Sequence, residues 1–210
     1  MHRLLDAAGI RVRKLLDLGS GDGIVTTVIA ERHPVECAVL VDFSEPMMAA
    51  ALARFGSLHS GPTVDFVVGD LRSADWHVRV VAAGPYDVVV SRYAIHHLPD
   101  EDKRALYMEV LDWLVPGGMF VNIEHVSSPS ELYEAAHDRL MIDSIVAADG
   151  PDADAAAIEN RYWTREDAQA NILAPVDVQT RWLIDIGFVD VDCAFKAFEL
   201  AVFSGRRSAA

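Results

Sequence analysis

The sequence predicts a three-layer α/β fold: a seven-stranded, mostly parallel sheet with helices on both faces, an antiparallel last strand, and a helical cap inserted after strand five. Three observations predict it. Short apolar runs alternate with stretches of helical periodicity through residues 14–124. At the C-terminal end, two β-like runs, 189–198 and 200–204, have almost nothing between them. A parallel pair needs a crossover of roughly a dozen residues or more, so these two pair as an antiparallel hairpin. Between strand five and that hairpin lie about 60 residues, far beyond the usual 2 to 6 or so of a helix-to-strand connection, so the segment holds helices of its own.

The opening stretch "MHRLLDAAGIRVRKLL" carries Asp6 and flows into the first strand without a signal-type apolar core or cleavage site, so it is read as part of the fold. The strands are 14–18, 38–43, 64–68, 86–91 and 119–124. Each is largely apolar, as suits strands covered on both faces. Helices are expected at 24–32, 46–55, 74–82 and 101–114, the last capped by Asp100 and closed by "PGG". In the long connection 132–148, 164–173 and 178–186 read as helices, and "ADGPDADAAA" as a flexible joint. Only the last helix is needed for the crossover. The surplus, 127–174, is a lid or substrate cap, or else an insertion covering a sheet edge. The chain is read as one domain over residues 1–210.

A formal net charge of -14 excludes a general affinity for nucleic acid or anionic membrane, since phosphate binding needs clustered Lys and Arg. The two cysteines, Cys37 and Cys193, lie in apolar runs and read as buried free thiols in a reducing compartment. No apolar run approaches membrane-spanning length, and a cytoplasmic location is expected.

The chemistry starts at "LLDLGSGDG", residues 15–23, where Gly19, Gly21 and Gly23 make a tight turn that brings backbone close to a ligand. A dinucleotide fingerprint needs its third glycine where Ile24 stands. Asp17 and Asp22 bracket the loop, and each would oppose a pyrophosphate. A P-loop fails because no GK[ST] follows. An acidic bracket instead welcomes a ligand with an ammonium and a sulfonium centre and no phosphate, which is S-adenosylmethionine (SAM).

At Asp42, about 20 residues after the loop, a carboxylate ends the second strand where it can accept both ribose hydroxyls. Each such charged hydrogen bond is worth about 1.5–3 kcal/mol. Asp42 marks a nucleoside without saying which. In "GDLRSAD", Gly69, Asp70 and Leu71 follow strand three; Asp70 suits the adenine amine and the Leu71 N–H a ring nitrogen, the alternative being a capping turn. Phe43 and Met47 would flank the adenine, while Met48 belongs to the core.

Those stretches, with "VLVDFSEPMM", "YDVVVSRYAIHHL", "LVPGGMFVNIEHV" and the terminal hairpin, resemble the class I SAM-dependent methyltransferases over about residues 14–206. The resemblance implies a Rossmann-like fold, methyl transfer to a small-molecule acceptor, and S-adenosylhomocysteine (SAH) as product. It places Asp17, Gly19, Ser20 and Gly21 by the methionine end of the cofactor. It places the backbone at Ser91, Arg92 and Tyr93 at the cofactor's amino group.

Methyl transfer from a sulfonium needs positioning above all, and a base only when the acceptor loses a proton. His96 and His97 end strand four; Glu124 and His125 end strand five. His96 and Glu124 are the catalytic candidates. The histidine pair has three readings: a structural role, a base or acceptor contact, and a metal site. His96 is expected nearer the cofactor, and His97 against the following helix. No metal is expected, because catechol-type methyltransferases carry an acidic ligand where this chain has "SRYA". In the cap, Tyr133, His137, Arg139, Arg161, Tyr162, Trp163 and Arg165 either line an acceptor pocket or pack the cap down.

The C-terminal third, "APVDVQTRWLIDIGFVDVDCAFKAFELAVFSG", is similar to enzymes that modify the tRNA wobble uridine with a carboxylated SAM. The net charge opposes tRNA binding. About a dozen residues precede the first strand, fewer than the family usually has, which either sets aside a two-sided lid or implies a neighbouring subunit: a homodimer, or a partner that this chain serves as a SAM-binding subunit without catalysis.

Overall fold

Alternation along each strand sends side chains to both faces, and the sheet is packed accordingly. The computed structural model describes residues 1–57, 61–165 and 170–209. Strands β1 (Lys14–Leu18), β2 (Cys37–Asp42), β3 (Thr63–Val68), β4 (Tyr86–Arg92), β5 (Leu114–His125), β6 (Val189–Ala197) and β7 (Leu200–Arg206) form one sheet in the order β3-β2-β1-β4-β5-β7-β6. β7 runs antiparallel to both its neighbours, and β1 to β5 are parallel to one another. The reversed strand and the hairpin are as the sequence predicts.

On one face α1 (His2–Ala7), α2 (Ile24–Ala30) and α3 (Glu45–Gly56) set Leu5, Val25, Ile29 and Ala51 against Leu15, Leu40, Val88 and Val90. On the other, α4 (His77–Ala83), α5 (Asp100–Trp113) and α8 (Val176–Ile186) set Val80, Tyr107, Val110 and Leu183 against Leu16, Leu18, Val89 and Phe120. Each such aliphatic or aromatic side chain contributes about 1.5–3 kcal/mol on full burial.

Several local expectations are corrected. "PGG" does not close α5: β5 starts at Leu114 and runs through Pro116, Gly117 and Gly118, with a register shift against β4 between Tyr86 and Val88. Pro99 occupies the cap position of α5, and Asp100, one residue in, takes the Lys103 ammonium at 2.7 Å. Cys37 is exposed and Cys193 half-buried; both are free thiols.

After β5 come α6 (Glu131–Asp149) and α7 (Ala155–Thr164). α7 begins where Asp154 accepts from the Ala157 N–H at 3.0 Å, within the stretch read as a joint. The helix expected at 164–173 falls partly on 166–169, outside the described residues; 171–175 carry no regular structure. Among the described residues, no helix is long and apolar enough to cross a membrane.

The register of β1 is pinned by Asp87, whose Oδ2 accepts from the backbone N–H groups of Arg13 and Lys14, both at 2.8 Å. Deep in the sheet the Ser91 hydroxyl donates to the Leu18 carbonyl at 2.8 Å, tying β4 to the end of β1. Replacing Asp87 with Ala leaves two strand-edge donors without their carboxylate. The expected loss is about 2 kcal/mol of unfolding free energy, read from the urea midpoint at unchanged slope.

Candidate active site

The strand order reverses between β1 and β4, and the crevice outside their carboxyl ends is where open α/β sheets bind ligands. A cavity of about 950 Å³ lies there. Its floor is the glycine loop. The Gly19 and Ser20 N–H groups donate to the Val41 carbonyl at 2.8 and 3.0 Å, folding the loop over β2. Gly19 has a φ of +67°, and a Cβ on it would stand 2.0 Å from the Cβ of Ala94. Only glycine fits that crossing.

Asp42 lines the cavity, each carboxylate oxygen held by one backbone amide. Oδ2 accepts from the Gly21 N–H and Oδ1 from the Ser44 N–H, both at 2.8 Å. Phe43 and Met47 stand beside it, exposed and lining the same cavity, while Met48 is buried. Gly19, Ser20, Gly21, Gly69, Asp70, Leu71, Arg92 and Tyr93 complete the set that sequence reasoning names and the cavity contains.

Asp70 is already engaged. Both of its oxygens take the Arg72 guanidinium at 2.6 to 3.1 Å, and Oδ1 also accepts the Arg72 N–H at 2.9 Å. The Arg72 contact holds the Asp70 carboxyl below the usual carboxylate range. Asp22 is likewise paired, with Arg54, whose Nε also donates to the Asp22 carbonyl at 2.9 Å.

Asp17 and Ser91 are not in the cavity wall. Asp17 is fully buried; Oδ2 accepts from the Thr26 hydroxyl at 2.7 Å, and Oδ1 has no hydrogen-bond partner among the described residues. Burial pushes its carboxyl up to about 6, although the Thr26 hydrogen bonds oppose the rise.

The two histidines after β4 are placed in the reverse of the expected way. His97 lines the cavity, with Nδ1 3.2 Å from the Ala170 carbonyl oxygen. His96 is buried behind it, rings 4.0 Å apart, with Nδ1 2.6 Å from Glu124 Oε1. Glu124 also accepts from the His125 N–H at 2.8 Å and from Asn122 at 3.3 Å. The reason is the tight 3-10 turn Ile95–His97, which sends consecutive side chains in different directions.

None of the seven cap residues lines this cavity. Tyr162 is buried and donates to Asp138 Oδ1 at 2.6 Å, with the Arg165 guanidinium 3.8 Å above its ring. Arg139 and Trp163 line a separate cavity of about 310 Å³ between α6 and α7. Of "RYW", Tyr162 packs α7 onto α6, while Arg161 and Trp163 are exposed.

Residues 15–118 match a family model described as a methyltransferase domain. This part of the chain belongs to the class I SAM-dependent methyltransferase family. It is 33% identical over 129 residues to a carboxy-S-adenosyl-L-methionine synthase of Chromohalobacter salexigens, which covers 58% of this chain and 45% of that protein. It is 36% identical over 105 residues to a trans-aconitate 2-methyltransferase of Streptomyces avermitilis, covering 50% and 36%. The chain spans less than half the length of the curated relatives it matches.

Among solved structures, an O-methyltransferase family protein from Burkholderia thailandensis superposes with a TM-score of 0.65 at 18% identity, over 100% of this chain and 56% of that one. Magnesium protoporphyrin IX methyltransferase from Synechocystis, solved with bound SAH, superposes with 0.62 at 17% identity, over 98% and 80%. These likenesses show the fold.

The sequence did not disclose Ala94, His97 and Ile172 as cavity residues. Arg72 had a readable signal: a backbone N–H two residues after an Asp closes an Asx turn. Asp17 makes the site costly. Its carboxyl is raised above the unfolded value of 3.8, so the folded chain binds the proton more tightly and loses stability as pH rises to about 6. At about 1.4 kcal/mol per pH unit, ionised Asp17 costs on the order of 3 kcal/mol. Asp17→Asn is expected to match the parent's thermal midpoint at about pH 3, to exceed it increasingly between about pH 4 and 6, and to hold that margin at about pH 7, in melts of the ligand-free protein.

Proposed function

We propose that this chain transfers the methyl group of SAM to a small-molecule acceptor that carries a carboxylate. The observation that carries the cofactor half is Asp42: a carboxylate fixed by two backbone amides at the cavity rim, with its remaining lone pairs available to two ribose hydroxyls. Phe43 and Met47 supply the apolar flank for the adenine. The Leu71 N–H and the Asp70 carboxylate take its edge, Asp70 sharing its oxygens between Arg72 and the adenine amine. Gly19 to Gly21 and the backbone at Arg92 and Tyr93 take the methionine end. Asp17, behind the loop, favours the cofactor's positive charge through the low-dielectric interior.

The donor sulfonium is activated already, so alignment supplies the catalysis, worth up to about 7–11 kcal/mol. For an acceptor that loses a proton, His97 is the imidazole on the cavity side. His96 and Glu124 position it from behind.

Arg92 supports the acceptor half. It lines the cavity, stacks on Tyr93 at 4.9 Å, and pairs with no carboxylate among the described residues. A guanidinium in that setting recognises a carboxylate, in keeping with relatives named for trans-aconitate. A second reading uses the same arginine differently: a relative is named carboxy-SAM synthase, and Arg92 would take the carboxylate of a carboxylated SAM.

Calorimetric titration with SAH is expected to show one site, and Asp42→Ala to weaken it by roughly 10- to 150-fold, the worth of one charged hydrogen bond. Absence of binding at about millimolar SAH overturns the reading. Incubation with SAM and small carboxylic acids, trans-aconitate among them, is expected to release SAH. With the accepted substrate, Arg92→Gln raises KM at unchanged SAH affinity, and His97→Ala lowers kcat where that acceptor loses a proton. A carboxylated SAM analogue binding tighter than SAH in an Arg92-dependent way favours the second reading.

A further inference from the structure

Beneath α6, away from the cavity, a second polar cluster is buried. The end of β5 brings His125, α6 brings His137, and the turn between β6 and β7 brings Glu199. The His125 Nε2 stands 2.8 Å from Glu199 Oε2, and the His137 Nε2 3.8 Å from the same oxygen. One ligand atom from each residue lies within 4.8 Å of the others.

His137 is the telling member. It is 98% buried by its 2% exposure, its Nδ1 has no hydrogen-bond partner among the described residues, and its Nε2 is beyond hydrogen-bond reach of Glu199. A buried imidazole without a partner is costly unless something coordinates it.

We propose that His125, His137 and Glu199 bind a divalent transition metal, zinc or iron(II), that joins α6 to the end of β5 and the β6–β7 turn. Two imidazoles and one carboxylate are the donor set both ions take, with a coordination position left for water. Ligand bonds of about 2.0–2.1 Å at tetrahedral angles place donors about 3.4 Å apart. The observed 2.8 and 3.8 Å bracket that spacing. The cluster is separate from the His96–Glu124 pair, and the cavity wall contains none of the three. The sequence reading weighs a metal at the histidine pair His96 and His97; here the ligands are His125, His137 and Glu199. The inference is independent of the methyl donor.

The test uses tag-free protein stripped with a chelator and titrated calorimetrically with zinc chloride, or with iron(II) under argon, without SAM. Binding of one equivalent is expected, with a thermal midpoint that climbs with metal concentration. X-ray absorption at the metal edge should show nitrogen and oxygen neighbours with imidazole scattering. Glu199→Gln and His137→Gln should each lose more than the roughly 10–100-fold that removing an outer partner costs. No binding at about millimolar metal, affinity unchanged in both variants, or sulfur in the coordination sphere from Cys37 or Cys193 overturns the proposal. If a variant fails to fold, the absorption spectrum of the parent protein decides.

Discussion

The crossing of Gly19 over Ala94 is the constraint on which the rest of this architecture depends. β1 sends its chain to β2 on one side, and β4 sends its chain to β5 on the other, so the two exits diverge and open a crevice. The β1 exit must still pass the end of β4 at a spacing that leaves 2.0 Å to a hypothetical Cβ. From that contact follows the loop's path over β2, with two N–H groups on Val41 and a third on Asp42. A side chain at Gly19 would push the loop away from β4 and take the Asp42 carboxylate off its amides. Cavity floor and sheet topology are thus one object.

Three carboxylates around the cavity show how environment divides one chemistry into three. Asp42 is held by backbone donors, Asp70 by a solvent-exposed arginine, and Asp17 by a single hydroxyl inside the protein. A backbone donor cannot swing away, so Asp42 is preorganised. Asp70 can release Arg72 into water at little cost, because exposed ion pairs contribute about 0–1 kcal/mol. Asp17 is the expensive one, since an ionised buried carboxyl with one bare oxygen opposes folding. A positive charge lodged beyond the glycine loop offsets that term.

How much of this was legible depended on the range of the interaction. Strand order and the reversed β7 follow from spacing alone, because chain connectivity and handedness leave few arrangements. Asp42, Asp70 and the glycine turn sit at strand ends and in short motifs, where local pattern and position coincide. The rest depended on tertiary orientation. His96 and His97 are adjacent in sequence, and only the 3-10 turn decides which one faces the cavity. Gly117 and Gly118 read as a helix stop and serve instead in an irregular strand start, where a Cβ on Gly118 would meet the Asp87 carbonyl at 2.9 Å. Cys37 begins a strand, and the register with β1 and β3, invisible in one sequence, leaves it exposed. His125, His137 and Glu199 belong to three elements, and no local pattern links them.

The helices after β5 are attached in a way the two core faces are not. Among the described residues α6 buries only His137 and Ile142, and it leaves Leu132 75% and Leu140 41% exposed. The return segment is held by polar contacts: Lys103 donates to the Ile172 carbonyl, the Ile172 N–H to the His96 carbonyl, and the Ser127 N–H to Ala174. Elements with few buried apolar groups open at lower free energy than the core. Opening here would hydrate Lys103, His137 and Glu199, groups whose burial opposes closure, so apolar contact contributes little to keeping the segment shut. The attachment of this segment therefore rests on satisfied polar groups, whereas α5 and α8 are seated on the sheet by Tyr107 and Leu183.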